Sequence, residues 1–186
     1  PRFASVETEL PAIHQIVRRV IATNFIASVD SVSLMLPILM RSPTPAIINM
    51  ASAAAFAAMP GTAAYSAAKA AQKAFTECLM MELKGRVYVA GIYPGFVRTD
   101  LFRDQKKGLA DRRLVRFYLS SQETARSIMN GMARHRRMII PGQEARMMRL
   151  LERLLGLRAL DLFTCILKKA RAELFADVFK WPGRNK

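Results

Sequence analysis

Between Ala12 and Met40 the apolar residues Ile13, Ile16, Val17, Val20, Ile21 and Phe25 recur at steps of three and four, while Arg18 and Arg19 fall together on another face. That periodicity predicts a long amphipathic helix, ended near Pro37. The short apolar run Ala46-Ile47-Ile48-Asn49-Met50, bounded by Pro45 and by small residues, predicts a buried strand of a parallel sheet. A small-residue loop through Pro60-Gly61 follows. Residues Tyr65 to Leu83 are then rich in Ala, Lys, Gln, Met, Leu and Glu and predict a second helix, stopped at Lys84-Gly85 by a glycine C-cap. Arg86 to Tyr93, rich in Val, Ile and Tyr, reads as a strand that Pro94-Gly95 breaks.

Strand, helix and strand with short connections make a βαβ unit with a right-handed crossover, so the fold class is α/β. Beyond Thr99 a polar segment rich in Arg and Lys runs to about Arg116. Ser120 and Glu123 spell a capping box ahead of a helix from Gln122 to Arg134, and Met138-Ile139-Ile140 reads as one more strand. Two amphipathic helices follow. The first carries Met147, Leu150, Leu151, Leu154 and Leu155 on one face and Arg146, Arg149 and Arg153 on another. The second carries Leu160, Phe163, Leu167, Ala170, Leu174 and Val178 as its stripe and ends at Trp181-Pro182-Gly183. The 23 residues from Ala46 to Ala68 hold no charge, enough to cross a bilayer as a helix, but Pro60-Gly61 interrupts them and small residues dominate their second half. They are not read as a membrane span.

With 186 residues, 52% of them apolar, the chain has material for one domain with a substantial core. Its start at Pro1, with no basic stretch leading into an apolar run, predicts a trimmed chain without a secretory signal. Cys78 and Cys165 form no CxxC or metal-type spacing and lie in apolar stretches, which predicts buried thiols, a reducing, cytoplasmic compartment and no metal site. The formal charge of +15 draws the protein toward phosphates, on nucleic acid, acidic lipid or a phosphorylated ligand. Residues 130 to 186 hold 13 basic and 5 acidic side chains, so this shorter stretch has the higher charge density.

Tyr65 and Lys69 stand four residues apart at the start of a predicted helix, one turn, with both side chains on one face. A free tyrosine titrates at about 10, too high for efficient proton exchange at neutral pH, and a neighbouring ammonium favours the phenolate. With 4 Tyr and 9 Lys in the chain, chance supplies roughly 0.2 such pairs, so the spacing alone is weak. Its surroundings strengthen it. Ser52 lies 13 residues earlier, just beyond the apolar strand, where its hydroxyl can reach the same substrate oxygen. Asn24 sits within the long first helix.

Ile47-Ile48-Asn49-Met50-Ala51-Ser52, then Tyr65-x-x-x-Lys69, then Pro94-Gly95-Phe96-Val97-Arg98-Thr99 resemble, in order and spacing, the strand-Ser, YxxxK and PGxxxT motifs of the short-chain dehydrogenase/reductase family. The resemblance covers about Asn24 to Ile140. It implies a partial Rossmann-like, doubly wound parallel sheet over residues 1–141, with a helical extension over 142–186. It also implies Tyr65 as general acid/base, Lys69 as the residue that binds the nicotinamide ribose and favours the phenolate, Ser52 as substrate polariser and Asn24 as anchor of a relay water. Pro94, Gly95, Val97 and Thr99 would contact the cofactor, NADP or NAD. At one position the chain departs from the pattern, with Ala27 where the family often has Gly three residues after the Asn.

No G-x-x-x-G-x-G loop and no Asn-Asn-Ala-Gly occurs in the chain, although dinucleotide binding needs a glycine-rich turn feeding a helix N-terminus. The expectation is a catalytic half whose first βαβαβ half is missing, with poor NAD(P) binding and little activity of its own; the alternative is a degenerate, non-catalytic form that keeps the motifs and binds a membrane or a partner. As partners we expect a small hydrophobic carbonyl or alcohol and, in the complete enzyme, a second copy of the chain. The two C-terminal helices are read as core, pocket wall or subunit interface, or as resting on an anionic membrane surface. No base-reading motif accompanies the charge, so no specific nucleic acid is expected.

Overall fold

The computed structural model describes residues 13–99 and 118–169. Ala12, the basic segment from residue 100 to Arg116, and the end of the last stripe from Ala170 through Trp181-Pro182-Gly183 lie outside the described residues.

The first helix runs as α1 (Ile13–Ile21), a π-helical turn (Ala22–Ile26) and α2 (Ala27–Leu39). In the π turn the Ala27 N–H reaches back to Ala22 O. Such a turn frees carbonyls of the preceding turn, and side chains take them: Thr23 Oγ1 donates to Arg19 O at 2.9 Å and Asn24 Nδ2 to Val20 O at 3.1 Å. Pro37 lies inside α2 rather than at its end, two residues before the last, where it removes only one helical N–H. Of the described helices, only the continuous stretch His14–Leu39 is long and apolar enough to cross a membrane, by length and composition alone.

Strand β1 (Ala46–Met50), helix α3 (Ala63–Glu82), strand β2 (Tyr88–Ile92), helix α4 (Ser121–Ala133) and strand β5 (Met138–Ile139) build a parallel sheet in the order β1-β2-β5. The fold is the expected α/β, Rossmann-like arrangement. Helix α3 ends where the sequence predicts, with Leu83 closing its last turn and Gly85 in the left-handed region at φ +78°. The capping box also forms: Ser120 Oγ accepts from Glu123 N at 3.2 Å while Glu123 Oε2 accepts from Ser120 N at 2.7 Å.

Two expectations about burial are corrected. Strand β1 has β2 as its single partner among the described residues, so it is an edge: Ile47 and Asn49 are buried while Ala46 and Met50 are exposed. The thiols of Cys78 and Cys165 are exposed rather than packed inside. The main core joins Val32 of α2, Ile47 of β1, Leu79 and Leu83 at the end of α3, and Val87 and Val89 at the start of β2. The buried polar side chain of Asn49 donates to Thr76 Oγ1 at 2.9 Å, and Thr76 donates on to Gln72 O at 2.7 Å, so this polar pair is satisfied within the core.

Helix α5 (Gln143–Leu155) turns its small face inward: Ala145 and Met148 are buried against Ala53 and Ala57, joined by Leu160 and Phe163 of α6 (Arg158–Lys169). Most of the apolar stripe read from the sequence faces away, with Met147, Leu150, Leu154 and Leu155 exposed. Two short strands, β3 (Val97–Arg98) and β4 (Leu119–Ser120), pair in parallel to tie the segment after Pro94-Gly95 to the start of α4.

Candidate active site

Ser52 and Pro94-Gly95 follow the carboxyl ends of β1 and β2, and Lys69 reaches the end of β1, where open α/β sheets place ligands. Ser52 leaves β1 in an extended conformation and caps the short 3₁₀ turn Ala53–Ala55, its Oγ accepting from Ala54 N at 3.2 Å. That bond uses a lone pair and leaves the hydroxyl proton for another acceptor. The Ser52 and Pro94-Gly95 loops are joined by Ala51 N to Ile92 O at 2.8 Å and Ala53 N to Pro94 O at 2.9 Å. Two of the sequence motifs are thus held to one another by backbone.

Tyr65 and Lys69 stand on the first two turns of α3. The Lys69 ammonium lies 5.8 Å from the Tyr65 ring centroid. It is buried and donates to Met50 O at 2.9 Å and to Gln72 Oε1 at 3.0 Å, and burial holds its pKa below the ordinary lysine value. Gln72 donates in turn to Ser28 Oγ of α2 at 2.8 Å. Among the described residues no hydrogen bond engages the half-buried Tyr65 phenol.

Asn24 and Lys69, from two helices, line one cavity of about 450 Å³ between the first helix and the free edge of β1. Pro94, Gly95 and Val97 are half-buried and Thr99 is exposed. Sequence reasoning missed Gln72, although its place three residues after Lys69 on the same helix face was available as a signal.

It also missed Glu144, the second residue of α5. Both carboxylate oxygens are buried without a hydrogen-bond partner among the described residues. They press on the backbone of the Pro94-Gly95 loop so closely that a Cβ on Gly95 would come within 2.5 Å of Oε1. Burial raises the Glu144 pKa, against weaker opposition from its own N–H and from Arg146. The folded state therefore holds this proton to higher pH than the unfolded chain, and stability falls as pH climbs from the ordinary carboxylate value upward. Glu144→Gln should remove that decline, raising the urea midpoint near neutral pH and leaving it unchanged in acid. An equal gain at every pH would refute the titration.

The geometry defines a Rossmann-like α/β chain in which the Tyr65/Lys69 pair is tethered to the carboxyl end of β1 at Met50, two residues before Ser52. The model of the short chain dehydrogenase family matches residues 6–110. The chain belongs to that family.

Among relatives, it is 31% identical over 153 residues to SadH of Mycobacterium tuberculosis, assigned as an oxidoreductase, covering 75% of this chain and 55% of SadH. It is 30% identical over 133 residues to 11-beta-hydroxysteroid dehydrogenase 1A of Arabidopsis thaliana, covering 66% of this chain and 38% of that protein. A short chain dehydrogenase of Burkholderia cenocepacia, crystallised with NADP, superposes with a TM-score of 0.60 at 22% identity, covering 89% of this chain and 60% of that one. The chain thus spans about half the length, or less, of the curated relatives it matches.

Proposed function

We propose that this chain is the carbonyl-chemistry half of an NAD(P)-dependent oxidoreductase that interconverts a hydrophobic ketone and its alcohol. The observation that carries this reading is the buried Lys69 ammonium one helical turn from Tyr65, beside the Ser52 and Pro94-Gly95 loops.

In this reading Ser52, already accepting from Ala54 N, donates its remaining proton to the substrate oxygen and stabilises charge developing there. Tyr65 passes its phenolic proton to that oxygen in reduction and takes it back in oxidation. Lys69, positioned by Met50 O and Gln72, places positive charge beside the phenol and is available to a ribose hydroxyl. Asn24 anchors a relay water in the shared cavity. Lys69 and the Pro94, Gly95, Val97 and Thr99 segment would hold the nicotinamide end of NADP or NAD, which when bound supplies the hydride. No glycine-rich turn in this chain fits the pyrophosphate. The NADP found with the Burkholderia relative supports the cofactor class, and the steroid dehydrogenase relative supports a hydrophobic substrate. Leu34 and Ile38 on α2, both strongly exposed, support association with a second copy in the complete enzyme.

The test compares the 186-residue chain with the same chain joined behind a glycine-rich βαβαβ half. Calorimetric titration of the short form with NADPH should show no micromolar binding, and the joined form should consume NADPH in the presence of a hydrophobic ketone. Micromolar binding by the short form would overturn the half-site reading. A joined form that binds NADPH but reduces no ketone or aldehyde would overturn the assigned chemistry.

A further inference from the structure

Helix α4 and strand β5 approach closely through Gly131, where a Cβ would come within 2.7 Å of Ile139. Beside that contact opens a cavity of about 530 Å³, within the range of small-ligand sites. Four arginines from separate places in the chain line it: Arg126 on α4, Arg134 at its C-cap, Arg136 ahead of β5 and Arg146 on α5. Arg126 and Arg134 share one stripe of α4, with Asn130 between them at the four-residue step that stacks side chains on a helix face. Arg146 is held in place by its Nε, which donates to Ile140 O at 3.0 Å, leaving both terminal nitrogens for another acceptor.

Glu123 is the one acid in the lining, and it is already occupied: it accepts from Ser120 N and Ser120 Oγ, both at 2.7 Å, and faces Arg98 at 3.8 Å. Glu144 stands two residues before Arg146, its oxygens directed instead at Gly95 and Gly142. Among the described residues no salt bridge reaches any of the four arginines. Four like charges around one cavity repel one another, and a multiply charged anion relieves that repulsion. Guanidinium forks match phosphate oxygens in pairs.

We propose that this cleft is a binding site for phosphoryl groups, separate from the site of Tyr65, Lys69 and Ser52, with which it shares no residue. Its ligand class is a phosphate or diphosphate ester, either soluble or presented as a lipid headgroup. This assigns part of the chain's excess positive charge to a defined place rather than to a diffuse surface.

The experiment uses the full chain, inorganic pyrophosphate as the soluble probe, and phosphatidic acid vesicles against phosphatidylcholine vesicles as the lipid probe. R126A/R136A removes two exposed lining arginines, and R18A/R19A removes equal charge from the exposed side of α1. Saturable pyrophosphate binding that R126A/R136A weakens about tenfold or more, and R18A/R19A leaves unchanged, supports a soluble ligand. Flotation with phosphatidic acid vesicles that only R126A/R136A abolishes supports a headgroup. If neither probe binds saturably, or if both double variants weaken binding equally, the charge acts non-specifically and the proposal is overturned.

Discussion

Tyr65→Phe, in a protein that joins this chain to a glycine-rich first half, should lower the rate of ketone reduction by roughly a hundredfold to ten-thousandfold, the range a positioned general acid contributes. The substitution removes one oxygen and keeps the ring. In the structure that oxygen has no hydrogen-bond partner among the described residues, so its loss leaves no protein group unpaired and the fold should be untouched. KM for the cofactor should change little, because the ring still packs beside Lys69. A loss confined to kcat marks an interaction made in the transition state. The measurement is steady-state turnover with NADPH and a hydrophobic ketone, with a circular dichroism spectrum to show that the fold is retained. Turnover within about twofold of the parent would remove Tyr65 from the chemistry.

The parts of this site that were legible in the sequence are those encoded by local spacing. The βαβ core could be read because Ile47, Ile48, Val89 and Ala90 stand in short apolar runs on either side of a helix-forming stretch, and Ile47 pairs with Val89 and Ile48 with Ala90 in one parallel sheet. Ser120 and Glu123 are three residues apart and form their capping box from local contacts alone. What stayed hidden depends on distant partners. Glu144 acquires its unusual environment only when α5 meets the Pro94-Gly95 loop, and nothing near Glu144 in sequence signals that meeting. Strands β3 and β4 are two residues each, too short to carry a period. The apolar stripe of α5 was visible, but not the direction it faces: Ala145 and Met148 fit against the helical turn at Ala53, and the leucines Leu150, Leu154 and Leu155 are left outside. The π turn at Asn24 has no pattern of its own, since Ala22 to Ile26 would fit an ordinary helix equally well.

Lys69→Met in the same joined protein should separate function from stability. Burial alone disfavours the ammonium, whose pKa it lowers, so removing the charge relieves a cost while leaving Met50 O and Gln72 Oε1 without their donor. These opposing terms should leave overall stability within about 1 kcal/mol of the parent. Turnover should still fall by about a hundredfold or more, because the positive charge beside the phenol is gone, and KM for the cofactor should rise because the ribose loses its cation. Tyr65→Phe is not expected to show that second effect. The alkaline limb carries a further signature. A lysine whose pKa is lower folded than unfolded makes the unfolded chain bind more protons between the two values, so the parent's urea midpoint should climb as pH rises through that window toward 10.5. Lys69→Met should lack that share of the climb. Lys69→Arg should not restore turnover, because a planar guanidinium that stays charged does not match the compact pocket formed by Met50 O and Gln72. Turnover and cofactor KM both within about twofold of the parent in Lys69→Met would leave Lys69 a structural tether between β1 and α3 and nothing more.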